Sequence, residues 1–148
     1  SLGKFFGLAG LRLGFLCAHS HWLNMFKRQV EPWLVSHPAR WIGARALLDG
    51  HWIDAQRARI RGSDAHTSAC LQRYFGTHNI HSGGLFLSIF GPSEVFKEVF
   101  IALAQQGVLT RYFELGEQRA ILRFGLAGDQ LPRLNQSLAN IENLINNS

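Results

Sequence analysis

The hydrophobic pattern of this 148-residue chain changes its period near Gly76, and that change constrains the fold more than any other feature. From Ser36 to Gly76, apolar residues recur three and four positions apart, which is typical of helices. After it, short apolar runs and amphipathic stretches follow in the order strand, strand, helix, strand, strand, helix. This order predicts an α+β unit of three or four strands with two helices on one face.

Caps, glycine stops and apolar spacing predict where the helices and strands lie. Helices are expected at 20–29, at 36–49 with a continuation towards residue 60, at 67–75, at 93–106 and at 131–146. Strands are expected at 11–18, 77–81, 85–90, 108–113 and 120–125. Ser36 is the expected N-cap of the second helix and Gly62 its expected stop. The strand at 11–18 has no partner nearby, so we expect its sheet to lie outside this chain.

The charge pattern limits the class of partner. Fifteen Lys and Arg against ten Asp and Glu give a net charge of +5, which favours anionic partners. The arginines are scattered singly, whereas nucleic-acid binders concentrate basic residues on one stripe, so nucleic acid is not an expected partner. No apolar run is long enough for a membrane span, and we expect no membrane partner.

The cysteines and histidines also bear on the class of protein. Cys17 and Cys70 lie in apolar runs and are expected to be small buried residues of a reducing, cytoplasmic compartment. Cys17, His19 and His21 alternate, but no second Cys/His pair stands at ligand spacing. The sequence therefore predicts no metal site.

The chemistry-bearing residues are concentrated in the first 14 residues, which read SLGKFFGLAGLRLG. Lys4 lies among Gly, Ala and Phe with almost no neighbouring charge, which suits a lysine that attacks a carbonyl to form a Schiff base. Ser1 offers a hydroxyl, and Arg12 offers a fork that grips phosphate or carboxylate. The glycines allow a ligand to approach the backbone closely. A lysine in a turn of small residues that is merely solvated is the structural alternative.

The spacing of these residues resembles the pyridoxal-phosphate lysine motif of the class I/II aminotransferase fold. The resemblance runs unbroken over residues 1–14. It implies that Lys4 holds the cofactor aldehyde as an internal aldimine, and that Ser1 and Arg12 bind the phosphate of pyridoxal 5'-phosphate.

Further segments narrow the resemblance to the threonine-phosphate decarboxylases of cobalamin biosynthesis. The segments that carry it are EPWLVSHPAR (31–40), GARAL (43–47), SGGLFL (82–87), GVLTRYF (107–113) and LRFGL (122–126). His37 stands where a glycine is common in that family, and Ala127 where a proline is usual. Histidinol-phosphate aminotransferases share the lysine motif and are the nearest competitor.

The resemblance implies a fold between α/β and α+β, the C-terminal part of the fold type I pyridoxal-phosphate transferases. Residues 1–52 would end the large cofactor-binding domain, and 53–148 would form the small C-terminal domain. The groups that contact the cofactor ring would come from a large domain upstream of Ser1, so we expect no useful turnover from this chain alone. A homodimer is expected for the intact protein.

The implied activity is decarboxylation of L-threonine O-3-phosphate to (R)-1-amino-2-propanol O-2-phosphate, a small phosphorylated amino acid being the substrate. Arg123 would bind the substrate carboxylate and Arg111 its phosphate. An arginine between Leu122 and Phe124 in a predicted strand needs an anion if it points inward, and it is solvated if it points outward. A histidinol-phosphate-type aminotransferase and a folded, non-catalytic small domain stay open as alternatives.

Overall fold

The computed structural model describes residues 1–77, 79–116 and 118–146 and divides the chain into two compact units, Ser1–Gln56 and Arg57–Ser148. The first unit holds a short 3-10 helix at Ala9–Leu11, the helices α1 (Ser20–Gln29) and α2 (His37–Leu48), and the start of α3 (Gly50–Phe75). The second unit holds the rest of α3, strands β1 (Ile80–Ser82) and β2 (Phe86–Pro92), helix α4 (Ser93–Gln105), strands β3 (Arg111–Glu114) and β4 (Arg119–Gly125), a 3-10 helix at Gly128–Gln130, and helices α5 (Leu131–Asn140) and α6 (Glu142–Asn146).

Helix α2 begins where the sequence predicts. The Ser36 hydroxyl accepts a hydrogen bond from the Ala39 amide at 3.3 Å, which satisfies one of the free donors of the first turn. Gly43 lets the helix pack closely, because a Cβ there would clash with Leu13 Cδ2. Leu13, which follows the short 3-10 helix, is thereby held against α2.

The strand expected at 11–18 is wrong. Residues 11–18 are all described, and beyond the 3-10 helix they take no regular structure. An extended segment becomes a strand only when a neighbouring strand takes up its backbone donors and acceptors, and the first unit as described contains no strand. Cys17, expected to be buried, is exposed as a result.

Helix α3 corrects two further predictions. It runs over 26 residues and passes through Gly62, which was expected to stop a helix, and through 67–75, which was expected to be separate. The break falls earlier: α2 ends before Asp49, and the Asp49 carboxylate caps α3 by accepting from the Trp52 amide at 3.0 Å. A glycine inside a helix costs only about 1 kcal/mol, which tertiary packing readily offsets.

The second unit is built on a four-stranded antiparallel sheet in the order β1-β2-β4-β3. Side chains alternate between its two faces. Leu87 and Ile89 on β2, with Leu122 and Phe124 on β4, are buried on the face that α4 and the other helices cover. The predicted α+β architecture is confirmed. The alternate side chains of each strand lie on the opposite face of the sheet.

The remaining differences concern element ends. Strand β3 begins at Arg111 rather than 108, and the closing helix breaks at Ile141 into α5 and α6. Part of the strand expected at 77–81 lies outside the described residues, and the observed strand is Ile80–Ser82. Among the helices that the structure describes, none is both long and apolar enough to cross a membrane.

Two buried threonines in the second unit have opposite hydrogen-bonding states. The Thr67 hydroxyl donates to the Ser63 carbonyl at 2.7 Å and accepts from the Ala127 amide at 3.1 Å, which ties α3 to the segment after β4. Thr110 is 5% exposed, and within the described part of the chain its hydroxyl has no partner. A buried hydroxyl without a partner is destabilising, whereas a satisfied one is not.

Replacing Thr110 by valine should therefore raise the free energy of unfolding by roughly 1 kcal/mol, because valine keeps the shape and removes the unpartnered hydroxyl. The matched control Thr67→Val should lower it by roughly 2 kcal/mol, because the Ala127 amide then loses its acceptor. Urea unfolding of the 148-residue chain, followed by far-ultraviolet circular dichroism, measures both. Equal losses in the two variants would contradict the prediction.

Candidate functional site

The segment that carries Lys4 is a compact loop in the first unit. The Leu2 amide donates to the Leu13 carbonyl at 3.1 Å, and the Leu8 amide donates to the Leu2 carbonyl at 3.0 Å. Leu2 itself is buried, whereas Lys4 is exposed. The Gly7 amide donates to the Lys4 carbonyl at 3.0 Å, with Gly7 at φ +67°, a conformation that glycine adopts without strain. These hydrogen bonds therefore close the base of the loop and leave the Lys4 side chain exposed.

Two aromatic rings fix the chain directly after the lysine. The Phe6 ring stacks on the Trp52 ring with 5.4 Å between centroids, and Phe5 meets the same indole edge-on at 5.8 Å. Trp52 lies in the first turn of α3. These contacts hold the backbone beside Lys4 against a helix, which restricts where the Lys4 side chain can reach.

Ser1 and Arg12 line one cleft of about 220 Å³, together with Gly3, Ala9 and Gly14. A Cβ on Gly3 would lie 3.3 Å from both the Ser1 hydroxyl and the Ala9 Cα, so glycine keeps the cleft open. Arg12 adopts the left-handed conformation, φ 51° and ψ 40°, and its guanidinium donates to the Ala9 carbonyl at 3.1 Å. A hydroxyl and a guanidinium lining a glycine-rich cleft fit a phosphate group.

The two predicted substrate arginines lie in the second unit, directly opposite each other. Arg111 on β3 and Arg123 on β4 are partners in the antiparallel register, so both project from the sheet face that the helices leave uncovered. Neither has a carboxylate within ion-pair distance among the described residues. Like charges opposite each other destabilise a sheet, and an anion bound between them removes the repulsion.

The next strand continues this row of polar residues. Ser88 on β2 is the register partner of Arg123, and His81 on β1 is the partner of Ser88. A single transverse line therefore crosses all four strands and carries an imidazole, a hydroxyl and two guanidinium groups. Such a line offers hydrogen-bond donors to one anionic ligand lying across the sheet.

Arg123 is half-buried between two phenyl rings. Its Cζ lies 4.9 Å from the centroid of Phe86 on β2 and 5.2 Å from that of Phe113 on β3. Both distances are within the range of a cation–π interaction. We call Phe86 and Phe113 the aromatic clamp. Sequence reasoning did not single out these two rings. Phe86 lies two positions from Ser88 and Phe113 two positions from Arg111, the two register partners of Arg123. These partners are known only once the strands are paired.

Most of the chain is similar to known proteins. Residues 1–138 match the family described as aminotransferase class I and II. The chain is 36% identical over 130 residues to a threonine-phosphate decarboxylase of Pseudomonas aeruginosa, and 38% identical over 144 residues to one of Sinorhizobium sp.. These matches cover 88% and 96% of this chain but only 38% and 41% of the relatives, so the chain spans about two fifths of their length.

A second group of relatives is similar over less of the chain. A histidinol-phosphate aminotransferase of Salmonella arizonae is 30% identical over 120 residues, which is 75% of this chain. Because the family match runs from Ser1 almost to the last helix, the chain belongs to the class I and II aminotransferase family.

Proposed function

We propose that this chain supplies the cofactor lysine and the substrate-anion residues of a pyridoxal-phosphate-dependent decarboxylase of cobalamin biosynthesis. Its substrate would be L-threonine O-3-phosphate, and its products (R)-1-amino-2-propanol O-2-phosphate and CO2. The observation that carries the proposal is the pair of opposed arginines, Arg111 and Arg123, because a substrate with both a phosphate and a carboxylate needs two such groups side by side. The relatives named threonine-phosphate decarboxylase support it further.

The first unit would hold the cofactor. Ser1 and Arg12 would bind its phosphate in the cleft they line, and Lys4 would hold its aldehyde carbon. Pyridoxal phosphate, when bound, draws electrons from Cα of an amino acid, so that one of the bonds to Cα can break. The stacking of Phe6 on Trp52 would keep the Lys4 backbone in place while the side chain moves.

The second unit would hold the substrate. Arg123 would bind the carboxylate that leaves as CO2, and Arg111 would bind the phosphate. After CO2 has left, Lys4 Nζ would donate a proton to Cα, which becomes the CH2 group that carries the amine of the product. Residues 1–52 would then end a cofactor-binding domain, and residues 53–148 would form the small domain.

The chain spans about two fifths of the decarboxylases it matches, so the remaining groups around the cofactor ring would come from outside it. We infer that the intact enzyme is a cytoplasmic homodimer and that the 148-residue chain alone has no useful turnover. If the chain acts without those groups, it is a folded binding domain rather than a catalyst.

Product analysis with the full-length protein tests the proposal. Incubation with pyridoxal phosphate and L-threonine O-3-phosphate should release one CO2 per substrate and form the amino-propanol phosphate. A keto acid that forms only when a 2-oxo acid acceptor is added would overturn the decarboxylase in favour of a histidinol-phosphate-type aminotransferase. The 30% identity to such an enzyme makes this the necessary second assay.

A further inference from the structure

The aromatic clamp does not serve the core of the second unit. Phe86 and Phe113 lie on the sheet face opposite the helices, and neither belongs to the hydrophobic core formed by the described residues. Phe113 is 40% exposed. Phe86 is half-buried and Phe113 is exposed, so neither ring gains the full burial energy of a core residue, and their position over Arg123 calls for another reason.

The two rings approach the guanidinium from neighbouring strands. Phe86 comes from β2 and Phe113 from β3, while Arg123 stands on β4 between these two strands. A phenyl ring therefore blocks movement of the Arg123 side chain towards either neighbouring strand. The donors that stay accessible are those that point out from the open face of the sheet.

The turn before β2 is shaped to accept the Phe86 ring. The Gly83 amide donates to the Phe86 carbonyl at 2.8 Å, and a Cβ on Gly83 would lie 2.7 Å from Phe86 Cζ. Any larger residue at position 83 would displace the ring. The hairpin thus fixes one half of the clamp through its backbone.

A ligand that reaches Arg123 must fit between two apolar rings. A carboxylate is planar, and its two oxygens meet the guanidinium fork in one plane, so it fits this narrow approach. A tetrahedral phosphate would press its other oxygens against the phenyl faces, and desolvating a charged oxygen against an apolar ring is unfavourable. Arg111 is exposed and lies outside the contacts that form the clamp, so it stays open to the bulkier anion.

We propose that Phe86 and Phe113 are positioning residues that make Arg123 selective for a carboxylate and so decide which end of the substrate each arginine binds. The inference rests on the proposed function, in which one ligand carries both anions. The clamp would thereby place the carboxylate, rather than the phosphate, at β4.

The test compares two ligands that differ in the carboxylate. L-Threonine O-3-phosphate carries it, and (R)-1-amino-2-propanol O-2-phosphate lacks it. Affinities are measured by NMR titration of the 148-residue chain, with the Arg123 Nε–H resonance as the local probe. Phe86→Leu and Phe113→Leu open the clamp, and Phe90→Leu is the matched control, because Phe90 lies on the same face of β2 but packs edge-on against His81.

Opening the clamp should weaken the carboxylate-bearing ligand about 5- to 20-fold and leave the other ligand within about twofold. The Arg123 Nε–H resonance of the free protein should also lose its ring-current shift, and Phe90→Leu should change neither quantity. Equal losses for both ligands, or none for either, would overturn the role of the clamp while leaving the proposed function intact. A wild-type chain that binds neither ligand at Arg111 or Arg123 would instead refute the substrate site of the proposed function, and the selectivity with it.

Discussion

Replacing Lys4 by alanine in the full-length protein is expected to lower kcat for decarboxylation of L-threonine O-3-phosphate by more than about 1,000-fold, because under the proposed function Lys4 would hold the cofactor and return the proton to Cα. Lys4→Arg should be as inactive, since a guanidinium stays protonated and is not a nucleophile at neutral pH. The loop itself should survive, because Lys4 is exposed and only its backbone carbonyl is hydrogen-bonded to Gly7.

A chemical readout separates this loss from misfolding. Pyridoxal phosphate is added, the protein is reduced with borohydride, and the peptide that contains Lys4 is weighed by mass spectrometry. The wild type should carry one cofactor mass on that peptide, and both variants none. Lys27→Ala, which changes an exposed lysine on α1 in the same unit, is the control and should retain the adduct and the activity. An adduct on another lysine in the wild type would contradict the assignment.

Replacing Arg123 by alanine should lower kcat/KM by about 100- to 1,000-fold, because a bidentate bond between two charged groups contributes roughly 3 to 4 kcal/mol to substrate binding. Arg123→Lys should recover only part of this loss, since an ammonium presents a point charge instead of a planar fork. Arg111→Ala should act differently and raise KM mainly for phosphorylated substrates.

The matched control for this series is Arg119→Ala. Arg119 lies on the same face of β4 as Arg123, four residues earlier, but its register partner is Pro92 rather than another arginine. Steady-state kinetics with L-threonine O-3-phosphate and with unphosphorylated L-threonine distinguishes the roles. A similar loss in Arg119→Ala and Arg123→Ala would indicate that overall positive charge, and not the opposed pair, attracts the substrate.

The second unit was predicted well because its signals are local. The α4 and β4 ends follow from Pro92, Gly107 and the alternation around Leu122, and each acts within a few residues. The errors lie where a distant partner decides. Residues 11–18 have strand composition without a neighbouring strand, and Gly62 is a weak stop that continued packing overrides.

The candidate site divides in the same way. Ser1, Lys4 and Arg12 are predicted from the resemblance of their spacing to a family motif, and all three lie within 14 consecutive residues, so that signal is local. Arg111 and Arg123 stand opposite each other through the pairing of β3 with β4, which are neighbours in sequence. The position of Phe86 beside Arg123 depends instead on the pairing of β2 with β4 across the whole of α4. The register between strands so far apart in sequence cannot be predicted from either segment alone.

Arg12 combines a useful side chain with an unfavourable backbone. Its backbone is left-handed, a conformation that costs a residue with a Cβ roughly 1 kcal/mol and costs glycine almost nothing. Backbone conformation alone would thus favour glycine at position 12, whereas only the arginine brings a guanidinium to the cleft that it lines with Ser1. Under the proposed function, Arg12→Gly would relieve the backbone strain and remove the group that binds phosphate, so the substitution would exchange cofactor affinity for stability.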